Sequence, residues 1–131
     1  MTRGILTGVL MVAWLIAAGP AVAQPSLTAE NFQVRTTGDL LTLCAPAPND
    51  PLAVQAIHFC HGYLVGAFAY YSASVAGRED AKRVCLPQPP PSRDAGIARF
   101  VSWARANPQY LQERPVETEF RFLETTWPCR R

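Results

Sequence analysis

Charge is scarce in this sequence. Only 17% of the 131 residues are Asp, Glu, Lys or Arg, with 12 cations set against 10 acids, and Lys82 is the lone lysine. A balance so near neutrality offers no basic patch or stripe for a phosphate backbone, so nucleic acid is excluded as a partner. Histidine is limited to His58 and His61, too few to complete a tetrahedral metal site on their own. The chain is too short for two independent cores, which excludes a multidomain enzyme. No segment of length alternates with the period of a strand, and there is no internal repeat and no low-complexity run beyond Pro89, Pro90 and Pro91.

What is present begins with an export signal. Arg3 supplies a positive start, Ile5 to Ala18 an apolar run, and Gly19-Pro20 a break before Ala21-Val22-Ala23, the small-x-small pattern a signal peptidase cuts after. Residues 1–23 are therefore expected to be a cleaved signal peptide. That run of fourteen residues falls short of the ~20 needed to span a bilayer. Residues 24–131 are expected to form one exported domain, and no cysteine follows the cut closely enough for a lipid anchor. Delivery to an oxidising periplasm makes Cys44, Cys60, Cys85 and Cys129 best counted as two disulfides.

Proline clusters divide the exported part into helices. A short first helix is predicted over Thr37 to Leu43. A second opens with Asp50 as N-cap and Pro51 at its first position and ends near Ala76 with Gly77 beyond it. A third starts at Ser92 and buries Ile97, Phe100, Val101 and Ala104. A fourth starts near Pro115, with Val116, Phe120, Leu123 and Trp127 inward and Glu117 paired with Arg121 on the wet side. The expected fold is all-α, a small compact four-helix domain with two disulfides.

The second helix contains no Asp, Glu, Lys or Arg from Pro51 to Ala76. Its length alone would reach across a membrane, but Gln55, His58, His61, Ser72 and Ser74 interrupt it, and a central rod packed on several faces is the preferred expectation. Gly62 and Gly66 form a small-residue groove suited to helix packing, with Tyr63 beside it. Tyr70 and Tyr71 point to different sides, so at least one phenol must reach water or a partner. Tyr70, Tyr71 and the stiff Pro89, Pro90 and Pro91 segment are the candidate partner-binding residues. Cys60 and His61 are adjacent and diverge by ~100°, which excludes them as nucleophile and base. Glu117 and Glu119 diverge on their helix and do not flank one substrate bond. No catalytic, cofactor-binding or metal site is expected.

Chain geometry favours a sequential pairing of the cysteines. A hairpin of the first two helices brings Cys44 to Cys60, and antiparallel third and fourth helices bring Cys85 to Cys129. The crossed set, Cys44 with Cys129 and Cys60 with Cys85, stays open as the less favoured alternative.

A Leu-rich short helix ending in Cys44, Cys60 followed by Gly62-Tyr63 and Gly66, then Cys85-Leu86-Pro87 and a closing Trp127-Pro128-Cys129 resemble the Rap/Tai family of immunity proteins over roughly Thr37 to Cys129. The longer, Pro-rich gap between Cys44 and Cys60 departs from that pattern. The resemblance implies a non-enzymatic periplasmic inhibitor that binds and occludes a peptidoglycan amidase effector of type VI secretion. A homodimer sharing the apolar second helix is a further expectation. The competing class is a small periplasmic helical chaperone or envelope-stress binding protein, against which two histidines and a near-neutral balance stand, since a pH switch needs more titrating groups.

Overall fold

The computed structural model describes residues 26–130; the expected signal peptide lies outside the described residues. The first helix, α1 (Thr37–Cys44), is set by a capping box. The Thr36 hydroxyl accepts from the Asp39 amide, and the Asp39 carboxylate accepts from the Thr36 amide at 3.0 Å. Two further amides of the first turn donate outward: Thr37 N to Glu113 O and Gly38 N to Leu111 O, both at 2.9 Å. The start of α1 is thereby bound to the loop that precedes the last helix, and its orphan donors are satisfied. Thr37 is fully buried there, with its hydroxyl 2.7 Å from that of Thr118.

The long helix α2 (Ala53–Ser74) starts two residues later than the sequence suggests, because Pro51 and Leu52 form a turn. Asp50 still organises that start. One carboxylate oxygen accepts from the Leu52 amide at 2.8 Å and the other from the Leu27 amide at 2.7 Å, which ties the N-terminal segment down. At the other end the chain turns through Gly77 at φ 73°, a left-handed conformation that glycine adopts without penalty.

The third helix, α3 (Arg93–Ala106), is capped by the Ser92 hydroxyl accepting from the Ala95 amide, and it buries Phe100, Val101 and Ala104 with Ile97 half-buried beside them. The fourth, α4 (Pro115–Thr126), faces differently from the expectation. Its buried side is Pro115, Thr118, Glu119, Phe122 and Leu123, whereas Val116 is 41% exposed and Phe120 only half-buried. The docking of Thr118 on Thr37 fixes this rotation. The expected Glu117–Arg121 pair is replaced: Glu117 pairs with Arg114, and Arg121 reaches Glu113 at 3.2 Å while its guanidinium lies 4.6 Å from the Tyr110 ring centre.

Leu40, Leu43, Ala56, Cys60, Phe100, Ala104 and Phe122 form the core between the four helices. Phe122 is its aromatic hub, with ring centres of Phe100, Trp103 and Trp127 at 5.7, 5.9 and 5.6 Å. The all-α expectation is correct, and the only extended pairing among the described residues is an isolated antiparallel bridge of Val84 with Pro128.

Both disulfides follow the sequential pairing. Cys44 joins Cys60 across α1 and α2 at a Cα separation of 5.1 Å, and Cys85 joins Cys129 at 4.9 Å. The second bond sits in a local staple, since the Cys85 amide donates to Trp127 O at 2.9 Å and the Cys129 amide to Arg83 O at 3.2 Å. The bonds close loops of 16 and 44 residues. Constraint of the unfolded chain makes the smaller worth about 3 kcal/mol and the larger about 4 kcal/mol. Replacing both Cys85 and Cys129 by alanine is expected to lower the urea unfolding free energy more than replacing Cys44 and Cys60. An equal or reversed order would show that native packing around Cys60, and not loop closure, sets the cost.

Candidate partner-binding surface

Helix α2 buries a narrow stripe. Ala56, Cys60 and Leu64, spaced four apart, face the core, with Tyr63, Phe68 and Tyr71 half-buried on its flanks. This corrects the expectation of a rod packed on several faces. Among the described residues the rest of the helix is less covered: Val54 is 66% exposed on one flank and Tyr70 79% on the other, and Ile57 and Phe59 lie at the surface as well. An added Cβ at Gly62 or Gly66 would meet nothing within 4 Å. The groove expected to seat another helix of this chain is thus open at the surface.

No charged side chain stands on α2, so this outward face is apolar to weakly polar along its whole length. It differs in kind from the outer side of α4, where Arg114, Glu117, Arg121 and Glu113 are ion-paired and Arg83 reaches Glu124 at 3.0 Å. A charged, paired face is content in water, and an uncharged one with exposed Val, Ile, Phe and Tyr side chains gains by being covered. At its N-terminal end the face carries an aromatic row, with Phe32 edge-on to Phe59 at 5.7 Å and Phe59 stacked near Tyr63 at 6.5 Å.

The structure separates the two tyrosines paired in the sequence reading. Tyr70 projects from the open face. Tyr71 turns inward, and its hydroxyl accepts from the amides of Arg83 and Val84 at 2.7 and 3.1 Å. It anchors the segment that leads into the Cys85–Cys129 staple, so its phenol is already engaged. Pro89 and Pro90 are exposed after a cis Gln88–Pro89 bond, while Pro91 is half-buried against a cavity wall. His58 is exposed, and His61 Nε2 lies 3.6 Å from Asp94 Oδ1. Among the described residues no three His, Cys, Asp or Glu side chains gather as a metal set would require. No helix of those residues is long and apolar enough to cross a membrane.

Sequence reasoning named Glu119 only as diverging from Glu117 and missed its burial. It is 2% exposed, and its Oε2 is buried without a hydrogen-bond partner. It lines a cavity of about 250 Å³ between α2, the proline segment, α3 and α4. Burial pushes its carboxyl up to about 8. Burial likewise raises the Tyr63 phenol, with the Glu119 charge adding to the effect. The signal was present in the spacing: Glu119 stands three before Phe122 and four before Leu123, on the stripe α4 buries.

A pH dependence follows. Below an ordinary carboxyl value of 4.5 the acid is protonated whether folded or not. As pH rises from there to about 8, the unfolded chain releases the proton while the folded chain holds it, so stability falls across that window and levels off above it. Glu119→Gln should remove a decline on the order of a few kcal/mol from the urea-unfolding profile between pH 5 and 9. Parallel profiles for the two proteins would contradict this.

The Rap1a immunity protein family matches residues 36–129. That span runs from the capping Thr36 to the last cysteine and takes in all four helices and both disulfides. No curated protein and no solved structure matches the chain. A match over most of the chain, on a domain of this architecture, places it: the chain belongs to the Rap1a immunity proteins.

Proposed function

We propose that this chain is a periplasmic immunity protein that binds a peptidoglycan amidase effector of type VI secretion and occludes its active-site groove. The family match over residues 36–129 carries this reading. The signal-like leader over residues 1–23 supports action in the periplasm, as do four cysteines all held in disulfides. Inhibition by occlusion asks for a rigid body with a complementary surface and no chemistry of its own. Two disulfides supply rigidity at both ends of the bundle, so little ordering entropy is lost on binding.

The open face of α2 is the docking surface in this reading. Val54 and Ile57 along one edge and Phe59 and Tyr70 along the other are its anchors, and between them Gly62 and Gly66 leave a notch into which a ridge of the effector can settle. A homodimer on this face would compete with the effector for it.

The test is co-expression. A candidate amidase effector, directed to the periplasm, should lyse cells, and this chain should rescue them. A double variant, Val54→Asp with Tyr70→Asp, alters only exposed positions. It should keep the wild-type melting temperature and bind the amidase at least ~10-fold more weakly. Failure of the wild-type chain to bind or rescue would sink the pairing with an amidase. Full rescue by the double variant would sink the α2 face as the docking surface.

A further inference from the structure

The cavity that holds Glu119 has no role in the docking described above. At about 250 Å³ it falls below the ~300–1,000 Å³ of sites for drug-sized ligands, which suits one slender group. Leu64, Phe68, Phe100, Phe122 and Leu123 make its wall apolar. Into that wall is set one acid, 2% exposed, with an oxygen that has no hydrogen-bond partner. Leucine or methionine at position 119 would occupy the same space and leave no polar atom unpaired. An acid kept in such surroundings needs a partner that the described residues do not provide.

The wall and the acid together specify a guest with an apolar stem and a donor at its end. An alcohol brings one donor. A primary ammonium brings three, and its charge is opposite to the carboxylate's. We propose that the cavity is a binding site for a primary aliphatic amine, whose methylene stem packs between Leu64, Phe100 and Phe122 and whose ammonium pairs with the Glu119 carboxylate. Two sources share this chemistry, a lysine side chain of a protein partner and a free alkylamine.

Protons balance simply. The amine arrives as ammonium, Glu119 gives its proton to solvent, and the ion pair forms in the cavity. Arg93, at the first residue of α3, is the other charged group on the wall, and Tyr63 on α2 is the titrating neighbour coupled to Glu119. The raised phenol stays neutral between pH 6 and 8. Affinity should therefore rise with pH as the acid becomes easier to ionise.

The probe is n-hexylamine, with n-hexanol as the matched control, titrated by NMR into the oxidised chain. Hexylamine should shift resonances of Leu64, Phe100 and Phe122, and its affinity should grow up to ~10-fold per pH unit between pH 6 and 7.5. Glu119→Gln keeps shape and neutrality and should reduce hexylamine binding to the level of hexanol. Gly96→Leu is the second variant: Gly96 lines the cavity, an added Cβ there meets open space, and leucine favours the helix, so this chain should fold with the cavity filled and bind no amine. Hexanol binding as tightly as hexylamine would overturn the proposal, as would an unaffected Gln variant or the absence of any shift. With the amidase added, displacement of hexylamine identifies the guest as an effector lysine, and simultaneous binding identifies it as a free amine. The titration uses this chain alone, so its failure leaves the immunity reading intact.

Discussion

The bond between Cys44 and Cys60 decides which way α2 faces. A helix with no charged residue and apolar side chains on every side has no preferred inward face of its own, because rotation about its axis exchanges one apolar surface for another. The disulfide removes that freedom. Cys60 is fully buried against α1, and residues four before and four after it, Ala56 and Leu64, are buried with it. The positions off this stripe are turned outward, with Val54 exposed on one flank of the helix and Tyr70 on the other. Tyr71 fixes the far end by holding the Arg83 and Val84 amides. The exposed apolar face is thus imposed by a covalent constraint at one end and a hydrogen-bonded one at the other.

The interior has a polar seam as well as an apolar core. Thr37 and Thr118 are both fully buried, and their hydroxyls, 2.7 Å apart, lock α1 to α4. This is a satisfied pair, and it sets the rotation of α4. One residue further on, the same rotation carries Glu119 into the wall of the cavity, where no donor meets it. A satisfied polar contact and an unsatisfied one therefore have a single geometric cause. The first stabilises the domain and the second burdens it until the acid finds a partner.

Much of the fold was legible in the sequence because its punctuation is strong. Pro115 and Asn107-Pro108 mark helix boundaries, Ser92 caps α3, and Gly77 takes the left-handed turn that follows α2. The disulfide pairing followed from the order of the helices. Facing was harder. On α4 the spacing of Val116, Phe120, Leu123 and Trp127 made a plausible apolar stripe, but the Thr37–Thr118 contact rotates the helix so that Thr118 and Glu119 are buried and Val116 is not. On α2 periodicity was silent, so Tyr70 and Tyr71 could be separated but not assigned to inside and outside. Gly62 and Gly66 were legible as a notch, though not as one left open to a partner.

Side-chain footprinting by hydroxyl radicals, on the chain alone and in complex with a protein effector, tests most directly that the uncharged face of α2 is what the partner covers. In the free chain Val54, Ile57, Phe59, Tyr70 and Val116 are all exposed and should all be oxidised. In the complex the four on α2 should be protected while Val116 on α4 stays reactive. Protection of Val116 with Tyr70 as reactive as before would place the partner on the other side of the bundle and contradict the account.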